Sequence, residues 1–378
     1  MIVERAIKAD IVSDLGEKMV FLGGPRQVGK TTLALSLLPE GRESHPAYLS
    51  WDDPAARKLL LQGGLPAEQA LIVLDEIHKY KGWRSLVKGL YDKNKRERQF
   101  LITGSARLDH YRRGGDSLQG RYHYHRLHPF SLYELSREPT MDDFEQLLAF
   151  GGFPEPFLKA ETRHWKRWQR ERRSRVIQED LVNLEHVREV SQLDLLASIL
   201  PERVGSMLSI NNLRQDLSVA FETADRWVGI LENLYFCFRI QPHGLPKLRA
   251  ARKERKLYMW DWSLCDDPAA RFENLVASHL LKYCHRVEDT EGDSMELRFL
   301  RDSAGREIDF VVVRNRKPEF AVECKTGERK LSRSIAYFAP RAGIPKYYQV
   351  HTGTRDIEIA EYRARTIPVT RFAKILGV

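Results

Sequence analysis

The chain has 378 residues, 42% of them hydrophobic and 30% charged, which excludes a single small module and lies far from the composition of disordered chains. Its formal charge of +9 favours an anionic partner, nucleic acid or an acidic membrane surface, without choosing between them. No apolar run approaches the roughly 20 residues that span a bilayer, the first residues carry no basic-then-apolar leader, and Cys237, Cys265, Cys284 and Cys324 form no CxxC pair. The expectation is a cytoplasmic protein of two or three domains with reduced cysteines and no membrane role.

From Lys18 to Thr103 short apolar runs (Met19 to Leu22, Leu71 to Leu74, Phe100 to Thr103) alternate with helix-length segments such as Leu33 to Leu38, the pattern of a parallel α/β sheet. The segment Gly24, Pro25, Arg26, Gln27, Val28, Gly29, Lys30, Thr31 fits G-x4-G-K-[ST] and follows the first of these strands, with Thr32 opening the helix behind it. Glycines at those positions let backbone N–H groups wrap phosphates, Lys30 reaches the β and γ oxygens, and the Thr31 hydroxyl is suited to ligate Mg²⁺. This predicts ATP and Mg²⁺ as cofactors.

Leu71 to Leu74 delivers Asp75 and Glu76 at the carboxyl end of a strand, where ligands of open α/β sheets collect. Asp75 is expected to hold Mg²⁺ through water, and Glu76 to orient and activate the attacking water. His78 reads as a surface or packing histidine. Thr103, with Ser105 as the second choice, ends the next strand and is suited to sense the γ-phosphate. Arg121 follows Gly120 before the strand-like Tyr122 to Leu127, and it reads either as a finger acting on a neighbour's nucleotide or as an ordinary surface arginine. Arg112 and Arg113 compete for that part.

From about Asp142 to Leu200 the sequence turns helical. Glu161 to Arg175 interleaves Trp165 and Trp168 with Arg163, Lys166, Arg167, Arg170, Arg172, Arg173 and Arg175. Two readings stay open for it: a phosphate-backbone contact, or inward tryptophans beneath a solvated basic face. Ser209 to Arg239 reads as helix, turn, helix and strand, the length of a winged helix with Phe221 to Asn233 as recognition helix. Only Arg226 is basic there, so strong base readout is not expected. Lys247 to Lys256 reads as an exposed basic linker or wing.

Beyond it, an apolar helix, Arg271 to Tyr283, precedes strand-like runs at Glu296 to Leu300, Glu307 to Val313 and Glu319 to Cys324. Asp309 and Glu323-Cys324-Lys325 are spaced as on a hairpin, and Glu273 offers a third acid from the helix. Such acids are suited to hold a second divalent metal, Mg²⁺ or Mn²⁺, with Lys325 steadying a nucleophilic water.

The segments GGPRQVGKTTLA, YLSWDDP, LIVLDEIHKYKGW, FLITGSARL, SLQGRY, LHPFSLYEL and GGFPEP resemble a widespread prokaryotic family of AAA-superfamily ATPases that join the ATPase to a C-terminal domain of uncharacterised function. The resemblance implies a homo-oligomer, a hexameric ring, and no established substrate. Glu273, Asp309, Glu323 and Lys325 are similar to the PD-(D/E)xK restriction-endonuclease-like fold of archaeal Holliday-junction resolvases, with Ala270 where a glycine often stands. The expected architecture is therefore α/β: an AAA-type P-loop ATPase domain over 1–140, a helical lid and winged-helix domain over 141–245, and a nuclease-like domain over 246–378. The expected activity is ATP hydrolysis coupled to remodelling of, or translocation on, duplex or branched DNA. The alternative is a regulatory ATPase switch that binds a protein partner and carries an inert nuclease-like fold.

Overall fold

The computed structural model describes residues 3–104, 118–176, 190–244 and 255–378. The chain divides into two compact units, residues 4–128 and a second that runs from 129 to 378.

In the first unit, five strands form one parallel sheet: β1 (Met19–Gly23), β2 (Tyr48–Ser50), β3 (Leu71–Asp75), β4 (Gln99–Thr103) and β5 (Tyr122–Arg126). Their order is β2-β3-β4-β1-β5. The helices Lys30–Leu35, Pro54–Leu61 and Trp83–Asn94 supply the crossovers that parallel pairing requires. Because helices cover the sheet, its central strands carry no polar face: β1 is buried at every position, as are Ile72, Leu74, Phe100 and Ile102 around Trp83 and Val87. The order sets β4 between β1 and β3, so the ends of the three strands that the motifs occupy lie side by side.

In the second unit the helices Met141–Phe150, Pro154–Lys159, Thr162–Arg175 and Val190–Ile199 precede β6 (Met207–Leu208), and the helices Ile210–Leu217 and Phe221–Asn233 follow it. Then come β7 (Cys237–Pro242), β8 (Arg255–Met259), the long helix Pro268–Glu291, β9 (Met295–Arg301), β10 (Glu307–Arg314), β11 (Lys317–Lys325), β12 (Tyr347–His351), β13 (Ile357–Ile359), β14 (Ala364–Pro368) and the helix Val369–Leu376. The nine strands join in one sheet, β13-β14-β12-β11-β10-β9-β7-β8-β6. β7 pairs antiparallel with β8 and parallel with β9, so this sheet runs through the 245/246 boundary drawn from the sequence. Cys237, Cys265 and Cys284 are buried and all four cysteines are free thiols.

The basic helix Thr162–Arg175 turns its tryptophans inward: Trp168 is buried against Phe153, and the Trp165 indole N–H donates to the Ser263 hydroxyl at 3.0 Å. Arg163, Lys166, Arg167 and Arg170 form the exposed face. Arg172 departs from that pattern and is buried.

The basic stretch Lys247 to Lys256 is not an exposed linker at its end. Residues 245–254 lie outside the described ones, but Arg255 and Lys256 open β8, and Lys256 is buried rather than exposed. Its neighbours in space are acids from distant elements, and these make burial of an ammonium tolerable.

Candidate functional site

Gly24 leaves β1 with φ +143°, and a Cβ there would lie 2.4 Å from the Leu127 carbonyl oxygen, so only glycine fits. Gly29, at φ 96°, sits just before the helix that starts at Lys30. Between them Pro25 and Val28 are buried, Arg26 and Gln27 half-buried, and Gln27 is itself left-handed at φ 61°. The loop is held from behind by Arg5, whose guanidinium donates to the carbonyls of Val28 and His128. Lys30 folds back into it: its ammonium donates to the carbonyls of Gly24 at 3.1 Å and Pro25 at 2.7 Å. A buried ammonium spanning loop carbonyls is poised for an anion seated in the loop. Thr32 is exposed on the first helical turn.

Asp75 is the focus of the carboxyl ends. β3 and β4 pair so that Asp75 stands opposite Thr103, and β4 and β1 so that Thr103 stands opposite Leu22. The Thr103 hydroxyl donates to Asp75 Oδ1, and the hydroxyls of Thr31 (3.1 Å) and Tyr48 both donate to Oδ2. Tyr48 was not singled out from the sequence; its place at the start of β2, beside β3, is what brings it in. Burial and the Asp75 carboxylate together push the Tyr48 phenol well up, so it stays a donor. Three neutral hydroxyls satisfy the carboxylate without cancelling its charge, and the Thr31 hydroxyl beside that carboxylate makes a pair of hard oxygens of the kind that Mg²⁺ takes.

Glu76 follows with φ 55°, a left-handed conformation that a glutamate adopts only when its surroundings fix it. Its N–H donates to the Thr103 carbonyl at 3.2 Å. Burial pushes its carboxyl above the ordinary range against the opposing pull of Lys30, Lys79 and Arg26. Lys79 lies 3.5 Å from its carboxylate and bridges to Asp52. His78 is buried, its Nε2 3.7 Å from the Glu76 carboxylate. Ser105, Arg112 and Arg113 lie outside the described residues. Arg121 precedes β5 at the amino end of the sheet, away from the loop, and its guanidinium forks onto Asp92 at 3.0 and 3.3 Å. Arg126, opposite Gly23 at the carboxyl end, is the arginine that β5 delivers to the loop side.

The second group of acids assembles in the other unit. Asp309 on β10 and Glu323 on β11 lie on an antiparallel pair, and Glu273 comes from the long helix. Lys256 Nζ stands among them, 2.5 Å from Glu307, 3.5 Å from Glu273 and 3.9 Å from Asp309. Tyr258 donates to Glu273 at 2.7 Å, and the Cys324 N–H donates to Asp309 at 2.8 Å. Lys325 and Ser332 both donate to Glu323 Oε1, at 2.7 and 3.0 Å, while Glu323 Oε2 is buried with no hydrogen-bond partner among the described residues. Burial first, then Asp309, pushes Glu273 and Glu323 up to about 7. Burial alone would lower the Lys256 pKa; Glu273, Asp309 and Glu307 outweigh it and raise it. The Lys256 ammonium thus already supplies a positive charge beside Glu273 and Asp309, while Glu323 lies apart from it. Among the described residues no group of three or more His, Cys, Asp or Glu side chains is arranged to hold a metal.

Three stretches of the chain match known domain families. Residues 16–136 match the model of an AAA domain, residues 141–270 a domain of unknown function (DUF8612), and residues 269–372 another (DUF4143). The chain is 24% identical over 251 residues to an uncharacterized protein of Mycobacterium tuberculosis, Rv2008c, covering 65% of this chain and 55% of that one. It thus spans about half the length of that relative. An uncharacterized protein of Methanocaldococcus jannaschii, MJ1637, is 22% identical over 379 residues, covering 83% of this chain and 76% of that one. Among solved structures, the Aeropyrum pernix ORC1 protein in complex with DNA aligns with a TM-score of 0.34 at 15% identity over 73% of this chain and 93% of that one. The Thermotoga maritima RuvB Holliday junction branch migration motor aligns with a TM-score of 0.31 at 15% identity over 62% and 88%. Likeness at this level says nothing about function. The strand order, the loop and the matched domain together support an AAA-type P-loop ATPase fold in the first unit. No helix among the described residues is long and apolar enough to cross a membrane.

Proposed function

We propose that the chain is an Mg²⁺-dependent ATP hydrolase that binds DNA and couples hydrolysis to remodelling of, or translocation on, duplex or branched DNA, as a homo-oligomer of hexameric form. The observation that carries the hydrolase reading is the convergence of Thr31, Tyr48 and Thr103 on Asp75 beside the lysine-bearing loop. The backbone from Gly24 to Thr32 wraps the phosphates, and Lys30 exchanges its loop carbonyls for phosphate oxygens. Thr31 and Asp75 hold Mg²⁺, which when bound neutralises charge on the phosphates. Thr103 holds Asp75 through its hydroxyl and is the candidate sensor of the γ-phosphate. Glu76, with its raised proton affinity, accepts the proton of the attacking water. Arg121 is the candidate finger toward a neighbouring subunit; a loss of turnover in Arg121→Ala with ATP affinity kept supports that role, and unchanged turnover removes it.

The +9 charge supports DNA as the partner. The order β6, two helices, β7 and β8, with the three strands antiparallel, supports a winged helix in the middle of the chain. Asp225 and Glu232 neutralise Arg239 beside its second helix, which argues for backbone contact rather than base readout. The β10–β11 pair with Asp309, Glu323 and Lys325 supports a restriction-endonuclease-like fold for the C-terminal part. DNA-stimulated ATP hydrolysis, with a gel shift that weakens as salt rises, tests the reading; indifference to single-stranded, duplex and branched DNA overturns it.

One observation favours the second reading, in which the nuclease-like fold is inert and the ATPase is a switch acting on a protein partner. Lys256 lies 3.5 Å from Glu273 and 3.9 Å from Asp309, two of the acids that a nuclease metal requires. Incubation of four-way junctions with Mg²⁺ or Mn²⁺ decides: cutting lost in Asp309→Ala and Glu323→Ala restores the catalytic assignment, and no cutting by the wild type leaves the fold inert.

A further inference from the structure

A cavity of about 630 Å³ opens in the second unit beneath the basic helix Thr162–Arg175. Four cations of that helix line it: Lys166, Arg170, Arg172 and Arg173. Arg173 is already paired, 3.1 Å from Asp194. Arg172 is not. Its side chain is 3% exposed, its guanidinium lies 4.1 Å from the Phe153 ring centre and 5.6 Å from that of Trp168, and its Nε has no hydrogen-bond acceptor among the described residues. The acid that acts on it from a distance, Asp261, spends its oxygens on Ser263 and Gln169. A buried guanidinium left in this state costs free energy unless an acceptor completes it. Burial accordingly lowers its pKa to about 10.

The remaining lining narrows the ligand. Phe236 and Leu264 offer apolar contact, and Glu202 and Asp266 offer acceptors at exposed positions. A bare phosphate would not use the apolar wall and would be repelled by those acids. A molecule that carries its anion at one end and hydroxyl or amino donors on a flat body satisfies both, and the volume is in the range of small-ligand sites. We propose that this cavity binds a nucleoside phosphate, with its phosphate on Arg172 and Arg170 and its base against Phe236 and Leu264. The nucleotide comes either free or as the 5′ end of a DNA strand.

Equilibrium dialysis of the full chain with AMP as the probe tests this. The expected result is binding that survives Lys30→Ala, which damages the loop site, and that weakens at least tenfold in Arg172→Met and in Arg170→Glu. Arg172→Met replaces a buried, incompletely partnered charge with an apolar side chain of similar length, so its melting temperature is expected to hold or rise. Arg170→Glu alters an exposed position and carries the decision should the first variant misfold. Unchanged affinity in both variants, or complete loss of AMP binding in Lys30→Ala, overturns the proposal. Displacement of AMP by a 5′-phosphorylated oligonucleotide and not by its 5′-hydroxyl form supports the site with a strand end as its ligand. Displacement by neither supports it with a free nucleotide, and equal displacement by both contradicts a phosphate on Arg172.

Discussion

Asp75 and Asp309 are both strand-borne carboxylates gathered with other polar groups near the ends of paired strands, yet their partners differ in kind. Around Asp75 the partners are hydroxyls, from Thr31, Tyr48 and Thr103. They orient the carboxylate and leave its charge available. Around Asp309, Glu273 and Glu307 the partners include the Lys256 ammonium, beside the Tyr258 hydroxyl and the Cys324 N–H, and it supplies a cation from within the chain. A carboxylate cluster alone is thus no guide to metal use; what satisfies it decides whether an external cation is still required.

The comparison breaks most visibly at Glu76. Glu76→Gln is expected to keep ATP binding and lower turnover by about 10²- to 10⁴-fold, the usual range for loss of a general base. The acid limb of the wild-type rate profile is expected at higher pH than an ordinary glutamate would give, since burial raises this carboxyl. A limb at the ordinary position would show that some other group limits the rate.

Lys256→Met comes next. Removing one partner of a buried ion pair typically costs about 3–5 kcal/mol, read here as a lower melting temperature of the second unit. Glu273, which Lys256 faces, has a folded pKa raised to about 7, so the stability that it lends is full below its unfolded value and is lost as pH rises through about 7. The deficit of the variant is therefore expected to be largest near pH 8 and to shrink near pH 5, where that carboxyl takes up a proton. An equal deficit at both pH values would mean that Lys256 acts through packing alone. The same variant is expected to bind Mn²⁺, read by electron paramagnetic resonance without nucleotide, more tightly than the wild type.

Smaller effects separate the hydroxyls. Thr103→Val removes a hydrogen bond to a charged group, about 1.5–3 kcal/mol or roughly ten- to hundredfold in turnover. Tyr48→Phe is expected to cost less than about tenfold, because two other hydroxyls remain on Asp75. A larger loss for Tyr48→Phe than for Thr103→Val would reverse the order of importance that β4 imposes from its central place.

The first site was legible because its chemistry is local. Gly24 to Thr31 specify a backbone shape by their own spacing, and an apolar strand ending in Asp75 and Glu76 needs no distant information. Tyr48 was not legible, since only the pairing of β2 with β3 carries it to Asp75. Lys256 was misread for a related reason. It closes a run of basic residues that looks solvated, and the acids that bury it, Glu273, Glu307 and Asp309, come from a helix and a strand further along the chain. Trp165 and Trp168 admitted two readings; their inward packing favours the solvated basic face, while the burial of Arg172 had no periodic signal to announce it.

The central claim is that the Asp75–Glu76 site hydrolyses ATP in response to DNA. Steady-state ATP hydrolysis by the wild type and by Glu76→Gln, with Mg²⁺ and with single-stranded, duplex and branched DNA, tests it directly. The account predicts a wild-type rate that rises on adding duplex or branched DNA and a variant that binds ATP but turns over at least a hundredfold more slowly. Equal rates for the two proteins, or a wild-type rate unmoved by every DNA, would contradict it.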